Sequence, residues 1–151
     1  MSSATVYKID KKGYLLFGLI KTVSGFGIGT DPYIQVQEKD MNATIADALK
    51  KVLNIDDAKR VADPTDWGEY SKVFLQKTGL KSANELNKIS TLCCSVRRED
   101  SNIVFTPTKH AEPPDQGFVN KSKDEPNITV AYDASNEEIV DAFSLAFSKC
   151  E

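Results

Sequence analysis

The side chains in this sequence that could do chemistry are few and scattered. One histidine, His110, and three cysteines, Cys93, Cys94 and Cys150, are the candidates for general base, nucleophile or metal ligand. Neighbours on a strand point to opposite faces, so Cys93 and Cys94 are poorly placed to share a metal. No C-x-x-C spacing occurs, and His110 has no partner at ligand spacing. Reduced structural thiols are the expectation, with one of the adjacent pair packed in the core as a small hydrophobe. The glycines of Ser24-Gly25-Phe26-Gly27-Ile28-Gly29-Thr30 look like a phosphate-binding loop. Such a loop joins a strand to a helix, whereas here Asp31-Pro32 and a strand, Tyr33 to Gln37, follow, so a flexible hairpin connection is expected. Carboxylates are plentiful, but none sits beside a plausible nucleophile or histidine network. Asp47 and Asp141 recur at equivalent places in two similar helices, which fits capping or partner contact as readily as acid–base work. Nothing in the pattern calls for a cofactor or a metal ion.

Charge carries more information than any motif. The net charge is −3, yet residues 1–98 hold 15 Lys/Arg and 11 Asp/Glu, while residues 99–151 hold 4 and 11. An acidic second half repels phosphate backbones and attracts basic partners, or serves as a solubilising face. The basic residues Lys8, Lys11, Lys12 and Lys21 of the first half are not interleaved with aromatics in the manner of a single-strand platform. Hydrophobic residues make up 40% and charged residues 27%, ordinary for a globular chain, and 151 residues suffice for one core. No apolar run approaches the ~20 residues that span a bilayer, and Met1-Ser2-Ser3-Ala4-Thr5 lacks a secretory pattern. A cytoplasmic protein with no membrane contact is expected.

The elements that must position these residues follow from periodicity. Strands are expected at 5–9 and 13–22, and Tyr14-Leu15-Leu16-Phe17-Gly18-Leu19-Ile20 is apolar enough to lie centrally in a sheet. Asn42 should cap a helix over 43–54, with Ile45, Ala48, Leu49, Val52 and Leu53 on its packing face. After a linker-like stretch at 54–63, Thr65 or Asp63 should cap a helix over 66–78 that Gly79 closes. Trp67, Tyr70, Val73, Phe74 and Lys77 share a side of it, and Trp67 is expected as a core anchor, with an interface role as the alternative. Ser82-Ala83-Asn84-Glu85 reads as a capping box for a short helix. Strands at 90–97 and 103–107 form the clearest hairpin, weakening at Pro107. A long polar loop over 109–126 follows, pinned by Phe118, and should lie on the surface. A strand at 127–132 leads to a second capping box, Ser135-Asn136-Glu137-Glu138. It opens a helix over 136–149 that packs through Ile139, Ala142, Phe143, Ala146 and Phe147.

The two ends of the chain say similar things. Ile45, Asp47, Ala48 and Leu53 match Ile139, Asp141, Ala142 and Phe147 at an offset of 94. Tyr14–Phe17 aligns with Asn102–Phe105, Gly25-Phe26 with Gly117-Phe118, and Tyr33–Val36 with Asn127–Val130. The reading is an α+β fold in one domain, 1–151, with pseudo-repeat halves 13–54 and 102–149 joined by a helical segment, 64–89. Each half is strand, loop, strand, helix, and the two share a mainly antiparallel sheet with helices packed on it.

This arrangement resembles the immunity proteins of bacterial contact-dependent growth inhibition systems. The features that carry the likeness are the apolar strand before Pro107, Gly117-Phe118, the strand with Ile128 and Val130, Asp133-Ala134-Ser135, and Glu138-Ile139 followed by Ala142-Phe143. The first half repeats a looser version, with Leu19 opposite Pro107. The resemblance implies a small cytoplasmic protein, not an enzyme, that binds and neutralises the C-terminal toxin domain of a secreted effector in a one-to-one complex. It implies no direct contact with nucleic acid. Such toxins are frequently nucleases, and often cut transfer RNA. A nuclease presents a basic cleft, so an acidic inhibitor surface can occupy the same field. That surface is placed on Glu112, Asp115, Asp124 and Glu125 of the long loop, with Glu99 and Asp100 of the hairpin turn. A small enzyme or a nucleic-acid-binding protein is the alternative.

Overall fold

The computed structural model describes residues 2–56, 58–121 and 126–151. Its strands are β1 (Ser2–Ile9), β2 (Gly13–Lys21), β3 (Gly27–Val36), β4 (Leu92–Glu99), β5 (Asn102–His110), β6 (Phe118–Asn120) and β7 (Ile128–Ala131). They pair antiparallel in the order β3-β2-β1-β4-β5. On β5, β7 covers Asn102–Phe105 and β6 covers Thr108–His110. The central pair is β1 with β4, in register from Ser2↔Arg98 to Lys8↔Leu92. On one side of this seam lie β2 and β3, and on the other β5 with β6 and β7. β3 runs unbroken along β2, whereas the strand beside β5 is split into β6 and β7.

Pro107 does not end its strand. It lies opposite Cys94, at the step where the other partner of β5 changes from β7 to β6. A missing amide donor costs little at such a gap. The glycine tract at 27–30 is likewise strand, not loop, with Gly27 opposite Lys21 and Gly29 opposite Leu19. The ladder steps from Phe17↔Tyr33 to Gly18↔Thr30, so Asp31 and Pro32 bulge out and the rest stays paired. A Cβ on Gly29 would stand 2.9 Å from the Tyr33 hydroxyl and 3.0 Å from the Phe17 ring. The glycine there serves close packing, and no helix follows it to make a phosphate site.

Two helices, α1 (Met41–Val52) and α3 (Asn136–Ser148), cover one face of the sheet and touch each other. Ile45, Leu49, Val52 and Leu53 meet Ile139, Phe143 and Phe147 over Val6, Leu16, Cys94, Val96, Ile103 and Phe105. The expected packing faces of both helices are the buried ones. Ser135 caps α3 as expected, its Oγ accepting from Glu138 N; the Glu138 carboxylate closes back onto the Ser135 hydroxyl rather than its amide. Asn42 does not cap α1. A 3-10 turn, Glu38–Asp40, runs straight into that helix, so no extended residue precedes it for a side chain to cap.

The other face is covered over β1–β3 by α2 (Trp67–Thr78) and a 3-10 helix, Ala83–Asn87. Ile9, Leu15 and Phe17 pack there against Phe74, Leu80 and Leu86. Tyr14–Phe17 of β2 is thus buried on both sides, which accounts for its apolar run. Asp66, rather than Thr65 or Asp63, caps α2 by accepting from Gly68 N and Glu69 N. Asp63 is engaged elsewhere, with Ser24. Gly79 closes the helix at φ 73°.

The first capping box forms only on its glutamate side. Ser82 makes no side-chain cap bond, while Glu85 accepts chiefly from Lys12 Nζ (2.6 Å) and Lys81 N (2.7 Å), with a weaker contribution from the Ser82 amide, and only a 3-10 turn results. The Lys12 bond, with that from Lys81, holds the Glu85 carboxyl below its usual range. A carboxyl lowered by folding stabilises above its unfolded pKa, and that stabilisation is lost as pH falls through the lower, folded value. The Lys81 amide resonance, followed by NMR on acidification, should therefore move at a pH below the ordinary glutamate range. Movement at the ordinary value would remove the clasp.

Candidate partner-binding surface

Strand direction decides which of the expected acidic residues come together. Glu99 closes β4 opposite Asn102, and Asp100 forms the exposed turn at φ 54°. Glu112 and Asp115 lie beyond the far end of β5, where Asp115 N donates to Glu112 O (3.0 Å). β5 has nine residues, so the two pairs are separated by roughly 25–30 Å at ~3.3 Å per residue. The structure brings Glu112 to Asp115 and Glu99 to Asp100, but it does not join the four into one patch. Asp124 and Glu125 lie outside the described residues. The turn is also mixed in charge, because Arg97 Nε pairs with Glu99 at 2.9 Å and the Arg98 guanidinium lies 3.8 Å over the Tyr132 ring. Asp47 and Asp141 both face solvent, the former paired with Lys51 at 3.0 Å.

Two surfaces stand out that charge counting missed. At the end of the sheet where β1 turns into β2, a cleft of about 580 Å³ is lined by Lys11, Lys12, Lys39, Tyr14 and Gln35. At the opposite end, Phe26 packs edge-to-face on Trp67 (5.7 Å), which packs in turn on Tyr70 (5.7 Å). Trp67 is 46% exposed and Phe26 55%, so the core-anchor reading of Trp67 does not hold. The helix buries its later turns, through Phe74 and Leu75, while its first turn overhangs the tip of the β2–β3 hairpin. Ser3 pairs with both Leu19 and Arg97, so this aromatic tip and the Glu99–Asp100 turn share one end of the sheet. Apolar Val23 and Phe26 inside a Ser/Gly turn were the signal in the sequence.

The nucleophile candidates are sequestered. All three cysteines are free and buried, not one of the adjacent pair alone: Cys94 packs under α1 and α3, and Cys93 faces the other side, near Tyr7, Thr108 and Phe118. Burial pushes the Cys93 thiol up to about 12. Contact with the Cys150 thiol, together with burial, raises Cys94 as well. His110 stacks on Phe118 (4.4 Å) and its Nε2 lies 2.8 Å from Thr91 O. A carbonyl only accepts, so Nε2 carries the proton and the ring serves as a structural link. Phe118 also meets Tyr7 (5.9 Å) and pins the loop as expected. Among the described residues no cluster of His, Cys, Asp or Glu could hold a metal ion. No helix among them is long and apolar enough to cross a membrane.

Fold and surface together define an α+β protein built on one antiparallel sheet, with a lysine-lined cleft at one end and an exposed aromatic cluster at the other. The family model for CdiI, described as CDI immunity protein, matches residues 28–150, and the chain belongs to that family. Among solved structures, the chain is similar to one described as a CdiA-CT/CdiI toxin and immunity complex from Yersinia pseudotuberculosis. The TM-score is 0.68 at 17% identity, over 99% of this chain and 97% of that one. It is also similar to a protein of unknown function, NMB0488, from Neisseria meningitidis, with a TM-score of 0.66 at 14% identity over 99% and 95% of the two chains. A comparison with curated proteins finds no match.

Proposed function

We propose that this chain is the inhibitory half of a toxin–immunity pair. It binds the C-terminal toxin domain of its cognate contact-dependent inhibition effector, one to one and in the cytoplasm, and neutralises it without chemistry of its own. The observation that carries this reading is the family match over residues 28–150. The likeness to a protein solved within a toxin and immunity complex supports it. The target is a basic nuclease domain in this reading, and the carboxylates of the 109–126 loop, with Glu99 and Asp100, meet its positive field. Co-expression with the toxin domain encoded beside this chain tests the proposal: growth should be restored, and the two proteins should co-purify in equal amounts. Failure of both would end it.

The acidic loop has its own test. Glu112→Lys, Asp115→Lys, Asp124→Lys and Glu125→Lys combined should slow association about tenfold or more at low salt, and less at high salt, because such charges act mainly on encounter. Stopped-flow mixing at two ionic strengths reads this directly. An unchanged association rate would take these four residues out of the interface.

A further inference from the structure

The aromatic tip of the β2–β3 hairpin is held with unusual care for a feature that supports no core. Thr22 is fully buried. Its Oγ1 accepts from Phe26 N (3.1 Å), its N–H donates to Phe26 O (2.8 Å), and its carbonyl accepts from Gly25 N (2.9 Å) and Arg60 (3.2 Å). Val23 N donates to Val61 O (2.9 Å), and Ser24 bonds the Asp63 carboxylate through both its amide and its hydroxyl. Tyr70 is tied down too, its hydroxyl accepting from Gly29 N at 3.1 Å. What these bonds fix is apolar surface in water: Val23 and Phe26 of the turn are 66% and 55% exposed, and the exposed Trp67 ring packs on Phe26. A cluster of exposed apolar groups marks an interaction site, and Trp and Tyr are the side chains that dominate binding energies. Fixing them beforehand lowers the ordering cost of association.

The surroundings say what kind of surface fits. Asp66 and Glu69, both exposed, begin α2 on one side of Trp67, while exposed Lys21, Lys59 and Arg60 lie on the strand and linker side. The Asp63 carboxyl is lowered chiefly by its bond from the Ser24 hydroxyl. The rim therefore carries both signs, and a partner with groups of both signs can match it.

We infer that the Val23–Phe26–Trp67–Tyr70 platform is the anchoring contact for the toxin domain. The partner would set an apolar side chain onto Phe26 and Trp67, basic groups over Asp66 and Glu69, and acidic groups over Lys21, Lys59 and Arg60. This rests on the toxin-binding reading above, and it places the main energy of binding apart from the acidic loop.

The test is titration of this chain with the toxin domain encoded beside it. Trp67→Ala and Phe26→Ala should each weaken the complex about thirtyfold or more, as hot-spot truncations do. Glu69→Lys should weaken it about tenfold. Unfolding midpoints should stay near that of the parent, and Val23→Lys, at the most exposed of these positions, provides a variant that disturbs packing least. If the parent chain binds while both alanine variants and Val23→Lys bind within threefold of it, the platform is not the anchor, though toxin binding stands. If the parent chain itself does not bind, the underlying reading fails and takes this inference with it. If the variants abolish self-association and leave toxin affinity unchanged, the platform belongs to a second copy of this chain, and the inference is overturned.

Discussion

Phe143→Ala should cost the fold about 3–5 kcal/mol, enough to bring a chain of ordinary stability close to unfolding. The ring is fully buried in the middle of α3. It lies edge-on to Tyr14 of β2 at 5.1 Å and to Phe105 of β5 at 6.2 Å, and it tilts against Phe147 at 4.8 Å. One side chain thus connects both flanks of the β1–β4 seam to one helix. Truncation removes the transfer energy of the ring, leaves a cavity whose walls belong to a rigid sheet, and breaks three aromatic pairs worth about 0.5–1.5 kcal/mol each in favourable cases. Urea denaturation measures the loss. A decrease below about 1.5 kcal/mol, small beside the usual cost of such a truncation, would mean that the helix relaxes into the gap and that the face is more plastic than its packing indicates.

Gly13→Ala should be nearly as damaging, about 2–4 kcal/mol, although it adds a single carbon. Gly13 begins β2 at φ 92°, a conformation that L side chains rarely adopt. Its added Cβ would stand 2.4 Å from Val36 O, a backbone atom that cannot swing away. Gly117→Ala is the natural control, since Gly117 has φ 90° but no atom within 4 Å of the would-be Cβ. It should show the conformational cost alone, about 1–2 kcal/mol. The difference between the two variants in denaturant reads the collision. Equal losses would dispose of the steric argument.

Sequence periodicity revealed α3 well, because its capping box and its packing face point to the same boundaries. The double burial of β2 was legible for a similar reason, since a run such as Tyr14–Phe17 has no exposed face to offer. The extent of β3 was not. Glycine and proline read locally as punctuation, and only pairing with Lys21 and Leu19 shows that Gly27 and Gly29 belong to a strand. Trp67 failed differently: helical spacing tells which side chains share a side, but not where the underlying sheet ends. The acidic residues were chosen from a count along the chain, and a count ignores direction, so Glu99–Asp100 and Glu112–Asp115 fell at opposite ends of β5. The meeting of Cys94 with Cys150 is a tertiary fact that no local pattern contains.

The central seam has a consequence for how the molecule is made. β1 pairs on one side with β2, a few residues away, and on the other with β4, which begins at Leu92. On a ribosome adding ~5–20 residues per second, the roughly 80 intervening residues take about 4–16 s to appear. For that interval the earliest strand has a bare edge, open to pairing with other nascent chains. Its closure waits on β4, so the finished sheet arises late in each round of translation rather than growing in step with it.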